Sequence, residues 1–293
     1  WHRHRWETGS DGIWQRHEIS LHKFPGAHYF APRYISAFEG CIAANDLAVD
    51  GWSGMWDTEN NVWESISYAA LGTKFLSAAG AYPATFIYRS NARTLSTGAG
   101  TPYHQFGYED NLVMQILMIT EFATLNMQSG ALNIGAGISS FAGGSPSIAW
   151  AAYNGQRPIR RTGDTIRSGN NTWDMSTMAS LAVMQANGTA TYTIQSISYR
   201  GIENPYGHIW KWVDGINFRW ETPTETEAFM TPYVTTNQAN FADNIIGHEA
   251  LSDRMVSHVN VAGNLVNKNR YWKDLSPQLL PTEISASSSS YTG

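Results

Sequence analysis

Tryptophan recurs on alternate residues, 210 and 212, directly after a turn bounded by glycine and proline, and no other feature narrows the fold as much. The stretch reads Ser198-Tyr-Arg-Gly-Ile-Glu-Asn-Pro-Tyr-Gly-His-Ile-Trp-Lys-Trp-Val-Asp-Gly-Ile-Asn-Phe218. Successive side chains of an extended chain point to opposite faces. An extended 209–214 therefore predicts Trp210, Trp212 and Asp214 on one face and Ile209, Lys211 and Val213 on the other. Pro205 cannot donate to a ladder and belongs before such a strand. Gly201 to Gly207 reads as a tight polar turn, and Gly215 lets the chain bend after the strand. The expectation is an aromatic-rich strand near the centre of a core, with both indoles as internal struts.

This stretch resembles the Gly-Asn-Val-Trp-Glu-Trp signature of the C-type-lectin-like fold shared by formylglycine-generating enzymes and the variable proteins of diversity-generating retroelements. It is more similar to tailed-phage virion proteins, whose form reads roughly Ser-Tyr-Arg-Gly-x-Glu-Asn-x-x-Gly-Asn-Ile-Trp-Lys-Trp-Val-Asp-Gly-Ile-Asn. His208 stands where that family usually carries Asn. Tyr34-Ile-Ser-Ala-Phe-Glu-Gly40, Arg89-Ser-Asn-Ala-Arg-Thr-Leu95 and the helical stretch after Tyr103-His-Gln-Phe-Gly-Tyr108 follow in the family's order. The resemblance implies an α+β, C-type-lectin-like fold with long loops, one principal buried helix and short antiparallel strands. Its structural signature falls on Gly201, Glu203, Asn204, Pro205, Gly207, Trp210, Trp212 and Asp214, with Glu203 anchoring backbone amides. The family's final Gly-rich, Trp-containing segment, which closes the lectin-like fold, has no counterpart in this sequence.

At 293 residues the chain is long enough for one large domain or two small ones. Charged residues make up 15%, against roughly 25% in ordinary domains, while aromatics reach 13%. That balance fits an extracellular or particle-surface β-rich protein, and equally a large β-rich core. A net charge of −5 supplies no basic stripe for nucleic acid. Arg157, Arg160 and Arg161 form the densest basic cluster and read as a solvated loop. Cys41 is the single cysteine, which rules out an internal disulfide framework. No apolar run is long enough for a membrane span. The opening Trp-His-Arg-His-Arg-Trp lacks a methionine and an apolar signal core.

Residues 1–30, broken by Gly9, Gly12, Pro25 and Gly26, are expected to be an irregular N-terminal arm or linker. A lectin-like domain over 31–284 and a flexible Ser-rich end over 285–293 complete the expected organisation. Strands are expected at Tyr34 to Glu39, at Thr85 to Arg89 and at Thr189 to Tyr199. Residues 46–61 and 129–190 read as loops, as does the Thr- and Asn-rich sequence after Phe218, broken at Pro223 and Pro232. The clearest helix runs from Glu109 to Asn126, with Leu112, Val113, Ile116, Ile119, Phe122 and Ala123 at three- and four-residue spacing. Met114, Leu117 and Met118 extend its apolar surface around most of the circumference, so it should be largely buried.

Catalysis finds little support in the sequence. Copper-dependent oxidases of this fold need paired cysteines, because soft thiolates select that metal, and Cys41 reads as a small buried hydrophobe. Glu39, Asp46, Asp50, Asp57, Glu59, Glu64, Glu109 and Asp110 could supply a glycosidase pair, yet no spacing selects two of them. Esterase, zinc-protease and phosphate-loop motifs are absent. His2, His4, His17, His22 and His28 lack the spacing of a zinc site and read as part of a surface-exposed or interface arm. Glu203-Asn204-Pro205 and Trp173-Asp174 are only weakly similar to calcium ligands of sugar-binding lectins. No metal and no cofactor are expected.

Trp52, Trp56, Trp63 and Trp173 are the candidate ligand contacts, since flat indoles on loops stack on sugars or fill a partner's pocket. Burial under their own loops is the competing account. The resemblance implies a non-enzymatic phage virion protein on the particle surface, serving host attachment (tail fibre or receptor binding) or capsid decoration. Its partners would be other virion proteins, copies of itself in a homo-oligomer such as a trimer, and a host-surface glycan or protein. Loops around 46–63, 129–175 and 219–250 would face those partners. Two alternatives stay open: a structural head or tail subunit without ligand, and a cellular carbohydrate-binding lectin-like domain.

Overall fold

The computed structural model describes residues 1–10, 12–44, 47–49, 54–57, 62–65, 72–84, 87–124, 161–163, 176–185, 188–206, 208–209, 211–221, 227–251, 255–258 and 283–284. The expected Ser-rich end over 285–293 lies outside them. The first elements are strands β1 (His2–Gly9), β2 (Gly12–Ile19), β3 (Cys41–Ala44), β4 (Leu47–Val49), β5 (Gly54–Asp57), β6 (Val62–Ser65) and β7 (Lys74–Leu76). Helices α1 (Arg89–Gly98) and α2 (Tyr108–Phe122) follow. Then come β8 (Ser176–Gln185), β9 (Gly188–Tyr199), β10 (Ile202–Glu203), β11 (Ile216–Glu221) and β12 (Glu227–Val234). The last are β13 (Glu249–Ala250), β14 (Met255–His258) and β15 (Glu283–Ile284). Helices beside mostly antiparallel sheets make the class α+β.

The chain divides into two units. The first combines residues 1–33, 106–124 and 213–293, and the second combines 34–105 and 125–212.

In the first unit the expected arm is a regular hairpin, β1 against β2, in register from His2↔Ile19 to Gly9↔Gly12. The glycines fall at the turn and leave the strands intact. Alternation puts Arg3, Arg5, Glu7, Arg16 and Glu18 on one face, where Arg3 donates to Glu18 at 2.7 Å and Arg16 reaches Glu18 at 3.2 Å. Arg5 and Arg16 stand opposite each other. Glu7 and Glu18 offset that like-charge pair by contacting both guanidiniums.

Helix α2 begins where Asp110 Oδ2 accepts from Gly107 N–H at 2.8 Å, satisfying a donor that the first turn leaves open. Arg33 bridges Glu109 and Asp110 at 2.7 and 2.9 Å. Of its residues only Gln115 is exposed, in keeping with the all-round apolar pattern. Leu112 and Ile116 pack with Phe30, Tyr108 and Ile119. The helix stops at Phe122, short of the expected Asn126, because Ala123 takes the left-handed conformation (φ 52°) and ends the ladder.

The expected loops after Phe218 are partly a sheet in the order β11-β12-β14-β15, with β13 also on β12 and a parallel β14–β15 pair. Pro232 lies within β12, opposite Phe218, and its carbonyl accepts from Leu251 N–H at 2.8 Å.

The second unit holds the sheets β4-β3-β7, β5-β6 and β10-β9-β8 together with α1. The expected strand over 34–39 is absent, and pairing begins only at Cys41. Its backbone has separate partners in place of a ladder: Ser77 Oγ accepts from Phe38 N–H, and Ala37 O accepts from Glu203 N–H. Where a strand was expected to end at Arg89, helix α1 begins, and Asn91 Oδ1 accepts from Tyr88 N–H at 3.2 Å to satisfy its start. The 46–61 loop contains β4 and β5 and leads into β6, with Trp56 opposite Trp63. Met, Trp and Val favour a pleated surface enough to outweigh the nearby glycines and asparagines. Strand β9 matches its expected span, and β8, within the expected 129–190 loop, pairs with it from Gly188 to Ile197.

Candidate functional site: the signature turn and its buried charge cluster

Strand β9 turns into β10 through Arg200 and Gly201, with Tyr199 opposite Ile202. Both turn residues have positive φ, 50° and 81°, as a two-residue type I′ hairpin requires. Glycine takes this conformation freely, while Arg200 does so at some steric cost. The turn delivers Glu203 into the interior at 3% exposure. There Glu203 Oε1 accepts from Gly163 N–H at 2.8 Å, and its own N–H donates to Ala37 O at 2.8 Å. A buried carboxylate that receives a backbone amide is satisfied and fixes the segment that donates it.

Asn204, also at positive φ (46°), redirects the chain towards a second buried carboxylate. Glu39 accepts from His208 Nδ1 at 2.5 Å and from Lys211 Nζ at 2.6 Å, one on each oxygen. The same ammonium donates to the Asn204 carbonyl at 2.7 Å. Burial alone would push the Glu39 carboxyl up; the His208 imidazole and the Lys211 ammonium overcome it and hold the group down at about 2.

Residues 211–213 form no strand, which corrects the alternating-face expectation. The backbone here is held by side chains: Gln105 Nε2 donates to Trp212 O at 2.7 Å, and Lys211 is drawn back to Glu39. Trp212 is 49% exposed, so it is no internal strut, although its indole N–H donates to Ile87 O at 2.7 Å. Trp210 and Gly207 lie outside the described residues.

Asp214 belongs to the first unit and is fully buried. Its N–H donates to Phe106 O at 2.9 Å, its carbonyl accepts from Tyr108 N–H at 2.7 Å, and its carboxylate accepts from Gly215 N–H at 2.9 Å.

Cys41 is enclosed near the carbonyls of Glu39, Ala78 and Ala81 at 3.7–3.8 Å, with Thr162 Oγ1 at 3.6 Å. Among the described residues no group of three or more His, Cys, Asp or Glu side chains is arranged to hold a metal.

No family model, no curated protein and no solved structure matches this chain. The arrangement must therefore be judged on its own chemistry.

Of the candidate ligand tryptophans, Trp52 and Trp173 lie outside the described residues. Trp56 and Trp63 are brought together as a cross-strand pair on β5 and β6. Arg161, read from sequence as part of a solvated loop, lies over the Tyr82 ring at 4.3 Å and donates to Gly80 O; Arg157 and Arg160 are outside the described residues. The Glu39–His208–Lys211 cluster was not predicted. His208 beside the turn was the available signal, since an imidazole needs an acceptor once buried. No helix among the described residues is long and apolar enough to cross a membrane.

Proposed function

We propose that this chain is a non-enzymatic virion protein of a tailed phage, built on a C-type-lectin-like α+β scaffold and displayed on the particle surface for host attachment or capsid decoration. The observation that carries this reading is the inward use of the signature's polar groups. Glu203 holds a backbone amide, Lys211 joins Glu39 to the Asn204 carbonyl, and Asp214 holds the backbone of its own turn. A carboxylate with both oxygens engaged and its surroundings buried is poorly placed to exchange protons with a substrate. The burial of the Cys41 thiol likewise argues against thiol chemistry.

Recognition on this reading belongs to what projects from the scaffold. Tyr34, Tyr88 and Tyr103 of the second unit are exposed, and Trp52, Trp56, Trp63 and Trp173 are the proposed contacts for a host-surface glycan or protein. Self-association into a homo-oligomer and contacts with other virion proteins complete the proposal.

Immunogold electron microscopy of purified particles tests it. Label on the tail fibre, tail tip or capsid face is the expected result, and particles free of the protein would overturn the reading. Light scattering of the full chain, expected to give a multiple of the 32.5 kDa protomer mass, tests the oligomer separately.

A further inference from the structure

The β1–β2 hairpin carries a histidine cluster on the face opposite its arginines. His2 is 4% exposed and stacks on His17 with ring centroids 5.4 Å apart, and His4 lies 4.8 Å from the same His17 ring. His2 Nε2 is 3.1 Å from His17 Nδ1. Such a contact needs one nitrogen to donate and the other to accept, so it survives only while at least one ring is neutral. His2 and His28 also exchange backbone hydrogen bonds at 2.9 and 2.7 Å. His28 meets Phe30 edge-on at 4.7 Å, and Phe30 packs on Leu112 and Ile116 of helix α2. The stacked rings of His2, His4 and His17, and the backbone bridge from His2 to His28, thus link the hairpin to the core of the first unit.

We propose that His2, His4 and His17 form an acid-sensitive latch: neutral, they close the β1–β2 hairpin onto Phe30 and helix α2, and protonated, they release it. Two protonated rings at the His2–His17 contact would set N–H against N–H, with His2 buried.

The charges that act on His2 oppose its protonation. Those acting on His2 are His17, His4 and His28, all cationic when charged. On the opposite face Arg3, Arg5 and Arg16 are engaged with Glu7 and Glu18. Helix α2 brings Tyr108, whose hydroxyl burial keeps protonated, Glu109 and Asp110, which Arg33 holds, and Glu121 in its last turn.

Burial first, then the neighbouring imidazoles, push His2 down to about 4; burial, then His4, does the same for His17. A released imidazole takes its proton near about 6.5. Between these values the open form binds more protons, so stability of the closed form is complete above the upper value and falls as pH drops towards the lower one. For each of these two rings the gap corresponds to roughly 300-fold in proton affinity.

Hydrogen exchange of the full chain, corrected for intrinsic rates and run from about pH 7 to about pH 4, reads the latch directly. Peptides covering 1–20 and 108–122 are expected to lose protection reversibly, by about tenfold or more, while those covering 89–98 and 198–204 keep theirs. His17→Gln, neutral throughout, should hold the hairpin closed to lower pH. Protection of 1–20 unchanged down to the lowest pH would overturn the proposal, as would its loss at the same pH in His17→Gln. Should that variant fail to fold, NMR titration of the wild-type rings decides. Midpoints for His2 and His17 near the lower value, tracking hairpin release, support the latch; ordinary midpoints without release refute it. The inference rests on the first unit alone and is independent of the virion reading.

Discussion

Lys211 Nζ lies 2.6 Å from Glu39 Oε1, joining residues 172 positions apart in the chain. The pair is unequal in solvent: the carboxylate is 4% exposed and the ammonium side chain 30%. Removing the cation leaves a buried charge short of a partner, whereas removing the anion returns a half-wet ammonium to water.

Lys211→Met is therefore expected to destabilise the protein by about 3 kcal/mol, and Glu39→Gln by less. Urea denaturation of the two variants at neutral pH checks the order. Equal losses would mean that the burial of Glu39 contributes nothing to the asymmetry.

The same pair sets an acid dependence. The folded Glu39 carboxyl is held at about 2, below its ordinary 4.5. Between these values the unfolded chain binds the extra proton, so the stability Glu39 contributes is complete above the upper value and disappears as pH falls through the lower one. The advantage of wild type over Glu39→Gln should accordingly shrink between about pH 4.5 and pH 2. Parallel denaturant titrations at three pH values measure it, and a constant difference would contradict the assignment.

Gly215 and Gly201 share positive φ, 72° and 81°, but not their surroundings. A Cβ at Gly215 would come within 2.7 Å of Thr235 O and 2.8 Å of Phe241 Cε1, while at Gly201 nothing lies within 4 Å. Gly201→Ala should lose only the left-handed penalty, about 1 kcal/mol. Gly215→Ala should lose that and a steric clash, about 3 kcal/mol in total. Thermal unfolding compares them, and similar losses would show that the Thr235 and Phe241 side yields freely.

Leu112 is 5% exposed at the centre of the α2 cluster. Leu112→Ala is expected to destabilise by about 3 kcal/mol, and Gln115→Ala, on the exposed position of the same helix, by under about 0.5 kcal/mol. Circular dichroism at increasing urea separates them.

Helix α2 and strand β9 were legible because each follows a single local period over many residues. The hairpin at the start was hidden by its composition. Alternating Arg and Glu against His gives no apolar stripe, and the glycines at its turn resembled breaks in an irregular arm. Residues 209–214 misled for the opposite reason. Their alternation is real in sequence, but Gln105 and Glu39 take the backbone and side-chain partners a ladder would need, and these lie far away in the chain. His208 and Lys211 could be seen only as neighbours of a turn, because their common acceptor comes from another segment. The role of Trp212 depended on a single carbonyl, Ile87 O, that no periodicity announces.

The second unit is threaded inside the first along the chain: residues 34–212 contain all of it, while the first is assembled from both ends and an inserted helix. A ribosome therefore finishes the inner unit before the outer one has its sheet. Trimming either terminus removes part of the outer unit and leaves the inner one whole, so no contiguous piece of this chain can carry the first unit alone.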